Sequence, residues 1–131
     1  MEELMEKRIW QRVRGEGVTE RVRTILADQG PLLGTYRIQS RRGGKWRRIW
    51  ELKEEQTAAL RGLLRLLTGQ TTAKPRPGTA GDLLNCFTLE RKLLAELTDL
   101  SREGEIGDLA ALLLERQRDV CRLELELLGV M

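Results

Sequence analysis

Residues 69–80 read GQTTAKPRPGTA, and their reading decides the fold. Pro75 and Pro77 cannot continue a helix, because proline lacks the amide hydrogen and clashes with the preceding turn. The stretch is longer than a bundle turn needs and about right for a crossover running the length of a helical bundle. It divides the chain into two halves of similar construction. Before it, amphipathic segments cover 19–41 and 46–68, parted by Gly43-Gly44. After it, two more cover 81–102 and 106–128, parted by a run containing Gly104 and Gly107. Both breaks are short, so each half is expected to fold as an antiparallel helical hairpin. The expected fold is all-α, with a four-helix bundle over 18–131 and a charged N-terminal segment over 1–17 that can add a short helix.

Composition narrows the function classes. A chain of 131 residues is expected to form one domain. With 40% apolar and 33% charged residues it suits an amphipathic helical protein. No apolar run nears the roughly 20 residues of a membrane span. The opening MEELMEKRIW is charged throughout and has no signal-peptide core, so a cytoplasmic location is expected. Histidine is absent, which removes the commonest metal ligand and the commonest general base. Cys86 and Cys121 form no close pair, so free thiols are expected, with Cys86 facing the core and Cys121 turned away from it. No Ser-His-Asp set, phosphate loop or dinucleotide motif is present, and catalysis is not the expected role.

The two halves also resemble each other. Leu52, Glu55, Leu60, Leu63, Leu67 and Gly69 match Leu112, Glu115, Val120, Leu123, Leu127 and Gly129 at a spacing of 60. Ile25, Leu26, Leu33, Ser40, Arg41 and Gly43 match Cys86, Phe87, Leu94, Ser101, Arg102 and Gly104 at a spacing of 61. At 100° per residue, each segment carries one polar residue inside its apolar stripe. These are Gln29 among Val22, Ile25, Leu33 and Tyr36; Gln56 among Leu52, Leu60 and Leu63; Glu90 among Cys86, Phe87, Leu93 and Leu97; and Arg116 among Leu112, Leu113, Val120 and Leu123. Asp119 flanks Arg116 one turn on. Counted from the turns, all four fall at one level, and buried polar groups must pair. Such a layer serves either as a site or as a device that fixes helix register.

In pattern, length, crossover and duplication the chain resembles the ferritin-like superfamily, above all small rubrerythrin-type proteins, over 18–129. In that family two helices each give a Glu and two each give Glu-x-x-His to a di-metal centre. The resemblance places those positions at Gln29, Gln56, Ala59, Glu90, Arg116 and Asp119. Gln29 and Tyr36 look like the family's Glu with a Tyr seven residues on. Only Glu90 keeps the family's residue type. Ala59 cannot ligate, and Arg116 brings a cation to where the metals would sit. The resemblance therefore implies a bundle without cofactor, its di-iron centre replaced by a forked ion pair of Arg116 with Glu90 and Asp119, completed by Gln29 and Gln56. The alternative is a redox protein holding iron or manganese on Glu55, Glu90, Glu115 and Asp119. The family also implies a homodimer; no other protein partner is indicated.

The densest basic run is Arg41-Arg42-Gly43-Gly44-Lys45-Trp46-Arg47-Arg48. Such runs are more often solvated helix turns, and no helix-turn-helix or other nucleic-acid module is visible, so nucleic-acid binding is not expected; a small basic nucleic-acid or regulatory binding protein is the third reading. Trp46 and Trp50, one turn apart, are expected at a core edge or a contact surface. Pro31, between Gly30 and Gly34, is expected to kink the first helix.

Overall fold

The computed structural model describes the backbone of residues 2–130 and the side chains of 17–104 and 106–130. Four helices account for the architecture: α1 (Glu2–Gln39), α2 (Gly44–Thr68), α3 (Leu83–Leu100) and α4 (Gly107–Leu127), with no strand among the described residues. The N-terminal segment is not a separate helix, because its backbone forms the first turns of α1. Its side chains before Gly17 lie outside the described residues.

The helices form where leucines recur at three- and four-residue spacing, and each buries that stripe against two neighbours. α1 packs on α2 and α3, and α4 packs on α3 and α2. Ile25, Leu32, Leu60, Leu63, Leu93, Leu97, Leu113 and Val120 share one core. Each such side chain contributes about 1.5–3 kcal/mol when fully buried. α2 ends because Gly69 adopts a left-handed φ of 72°, returning its amide to Arg65 O at 2.8 Å. α3 starts at Asp82, whose carboxylate accepts from the Asn85 amide at 2.9 Å.

The connection between α2 and α3 lies against α1 at the Gly30-Pro31-Gly34 notch. Gly78 donates its amide to Gly30 O at 3.0 Å. Thr35 Oγ1 accepts from the Ala80 amide at 2.7 Å and donates to Pro31 O at 3.1 Å. A Cβ on Gly34 would sit 1.7 Å from Gly78 O, so only glycine lets the strap approach this closely. α1 runs through Pro31 without interruption. The Gly-Pro-x-x-Gly pattern marks where the strap seats.

Candidate functional site: a buried ion-pair layer

Midway along the bundle the four helices bring polar side chains into its interior. α2 supplies Lys53 and Gln56, α3 supplies Glu90, α4 supplies Gln117 and Glu124, and α1 supplies Tyr36 and Gln29; all seven are buried. Lys53 Nζ lies 2.8 Å from Glu90 Oε1. It also donates to Gln56 Oε1 at 2.6 Å and to Gln117 Oε1 at 3.3 Å, which uses the three hydrogens of the ammonium. Gln117 donates its amide nitrogen to Glu90 O at 2.7 Å and to Glu90 Oε1 at 3.1 Å. Gln56 Nε2 donates to Gln117 Oε1 at 2.9 Å. The two glutamines orient the pair and fill its remaining bonding capacity, which is what a buried ion pair requires.

Beside the pair, Tyr36 Oη lies 3.1 Å from Glu90 Oε2 and 3.1 Å from Glu124 Oε2. A single phenolic hydrogen cannot serve both carboxyl groups. The contact is satisfied when Glu124 carries a proton and donates it to Tyr36, while Tyr36 donates to the Glu90 carboxylate. Burial, reinforced by the Glu90 charge, pushes the Glu124 carboxyl up to about 9, while Tyr36 and Lys53 pull it down. Burial also raises Tyr36, as do the charges of Glu90 and Glu124. The raised Glu124 favours its neutral form, which leaves Lys53 and Glu90 as the ion pair of the layer. Glu124 Oε1 and Gln29 Oε1 have no hydrogen-bond partner among the described residues. Among the described residues Gln29 hydrogen-bonds only to its own helix, donating to Ile25 O at 3.4 Å.

Gln29, Gln56 and Glu90 thus occupy the central interior, as the sequence led us to expect. Arg116 does not. It is exposed and pairs with Glu55 Oε2 at 2.5 Å on the outer surface. Asp119 is turned to the surface, 3.2 Å from Arg122, so the forked pair with Glu90 does not form. Ala59 is half-buried at the core edge. The fallback ligands Glu55, Glu90, Glu115 and Asp119 do not converge either, since Glu55 and Glu115 are exposed and only Glu90 points inward. Among the described residues no group of three or more Cys, Asp or Glu side chains is placed to hold a metal ion. The layer does not fit a di-metal centre: it holds only two carboxyl groups, Glu90 and Glu124, and Glu90 already has the Lys53 amine 2.8 Å away.

The physical reason for the correction is a one-residue register. Ile49, Leu52, Lys53, Gln56, Leu60 and Leu63 are buried in α2, and Ala110, Leu113, Leu114, Gln117, Cys121 and Glu124 are buried in α4. Those sets correspond at a spacing of 61, the same spacing that relates Ile25, Gln29, Leu32 and Tyr36 to Cys86, Glu90, Leu93 and Leu97. The spacing of 60 between the second and fourth segments turned α4 by 100° and brought Arg116 forward in place of Gln117. The same turn corrects Cys121, which is buried rather than directed outward; both cysteines are free. Burial raises both thiols to about 12, with Glu90 and Glu124 adding to the effect. Burial thus disfavours the thiolate at both positions.

Lys53 is the residue sequence reasoning missed. Its signal was position: it stands one turn from Ile49 and three residues before Gln56, inside the stripe. Glu124 carried a similar signal, seven residues after Gln117. Compared with protein-family models, with curated proteins and with solved structures, the chain matches none.

Proposed function

We propose that this chain is a ferritin-like, small rubrerythrin-type bundle of two antiparallel hairpins that has lost di-iron chemistry and serves a binding or structural role in the cytoplasm. The observation that carries the reading is the Lys53 ammonium, held against Glu90 between Gln56 and Gln117 where the family places its metals. Four helices converge on that level with Gln29, Gln56, Glu90 and Gln117, one from each. Across the hairpins, α2 against α4 and α1 against α3, rising numbers meet falling ones, as that topology requires. Lys45, Lys53 and Glu55 of α2 meet Glu126, Gln117 and Arg116 of α4. Arg21, Asp28 and Tyr36 of α1 meet Glu103, Lys92 and Glu90. An internal cation does structurally what bridging metals would do, tying helices together, but offers no open coordination position and no redox change.

Elemental analysis of the purified protein tests this reading. The expected result is no stoichiometric iron or manganese and a thermal melt unchanged by chelator. About two metal ions per chain, lost with the fold on chelation, would overturn it. Leu66 and Leu112, exposed on α2 and α4, offer apolar surface for the homodimer the resemblance implies, which light scattering would read.

A further inference from the structure

The pole of the bundle where α1 hands over to α2 combines two features that the sequence run alone did not connect. The first is charge. Arg37, Arg41, Arg42, Lys45, Arg47 and Arg48 are all exposed there. Three of them make only long pairs, Lys45 with Glu126 at 3.5 Å and Arg47 and Arg48 with Glu51 at 3.6 and 3.7 Å. Arg37, Arg41 and Arg42 make none among the described residues. The second is a groove of about 470 Å³ lined by Gln39, Arg42, Trp46, Asp82, Leu83 and Leu127. Trp46 is held in place from behind by Tyr36, ring centroids 6.3 Å apart and planes at 44°.

We infer that this pole is a docking surface for single-stranded nucleic acid, with phosphates over Arg37, Arg41, Arg42 and Arg47 and one unstacked base against Trp46. The chemistry favours this partner over others that a basic patch attracts. Guanidinium groups match phosphate oxygens with paired donors, and five of the six cations are arginine. A fixed indole beside a cation offers any base a stacking face, and the groove gives that base room. A duplex would keep its bases stacked and leave the groove unused. The inference is independent of the buried layer at the bundle centre, so its failure would leave that reading untouched.

The test is fluorescence anisotropy of a labelled oligothymidine of about 15 nucleotides with the full chain. Binding is expected to weaken roughly 20- to 50-fold between about 50 and 200 mM salt, as for three to four neutralised phosphates. The double variant Arg41→Glu, Arg42→Glu changes exposed, unpaired side chains, so its circular dichroism should match the parent. It is expected to bind about 10-fold or more weakly and with a flatter salt dependence. Trp46→Phe is expected to remove most of the tryptophan quenching that accompanies binding. The inference is overturned by any of four results: no binding at low salt, equal binding by the arginine variant, a thymidine mononucleotide competing as well as the oligomer, or tighter binding to phosphatidylserine-containing vesicles than to the oligomer.

Discussion

Two of the ion pairs that join α2 to its neighbours differ in one respect that decides their worth. Arg116–Glu55 links α4 to α2 with side chains 45% and 51% exposed. Lys53–Glu90 links α2 to α3 with both side chains at 0%. In water-exposed pairs, solvent and salt weaken the attraction, and ordering two long side chains offsets what remains. In the interior screening falls away, and the cost of taking both charges out of water opposes the attraction instead. There the pair itself contributes little net stability over an apolar core, but removing one partner leaves the other charge stranded. The outer pair is the shorter of the two, at 2.5 against 2.8 Å, so distance alone would rank them wrongly.

The largest break in this comparison should come from Lys53→Met, expected to destabilise by about 3–5 kcal/mol because Glu90 is left buried and unpaired. Chemical denaturation would read it, and a loss under about 1 kcal/mol would place Lys53 outside the core. Adding Glu90→Gln should recover a substantial part, since both charges are then gone. Tyr36→Phe comes next. It removes the hydroxyl shared by Glu90 and Glu124 and should lower stability by about 1–3 kcal/mol with little change in packing volume.

Glu124 sharpens the comparison through pH. Its folded carboxyl titrates near 9 against an ordinary 4.5, so between those values the native state binds a proton that the unfolded chain has released. Stability contributed by this group is therefore complete below about pH 4.5 and declines as pH rises toward 9. Glu124→Gln keeps the neutral shape and should flatten the fall of Tm between pH 5 and 9; parallel profiles for parent and variant would contradict the protonated state. The smallest effect belongs to the outer pair. Arg116→Ala should change stability by no more than about 1 kcal/mol, and a larger loss would mean that Arg116 turns inward.

Much of this was legible in the sequence. The prolines of the strap, the glycine breaks and the leucine stripes placed α2, α3 and α4 to within two residues, because those signals are local. Gln29, Gln56 and Glu90 were found because a polar residue inside an otherwise apolar arc stands out. Helix four was harder. Leu112, Leu113 and Leu114 are consecutive, so the apolar arc can be drawn in either of two registers, and nothing local says that Leu112 is the exposed one. Lys53 was passed over for a different reason. A lysine is ordinarily solvated, and the partner that makes its burial tolerable is Glu90, 37 residues away in sequence. The Gly30–Gly34 notch was visible as an oddity, but its purpose depends on Gly78, which only the folded chain brings near.

Amine labelling of the native protein followed by mass spectrometry tests the central claim most directly. Lys45, Lys74 and Lys92 have exposed side chains and should react rapidly, while Lys53 should stay unmodified until the protein is unfolded. Modification of Lys53 in the folded protein at the rate of the other three would contradict the account of a lysine held at the centre of the bundle.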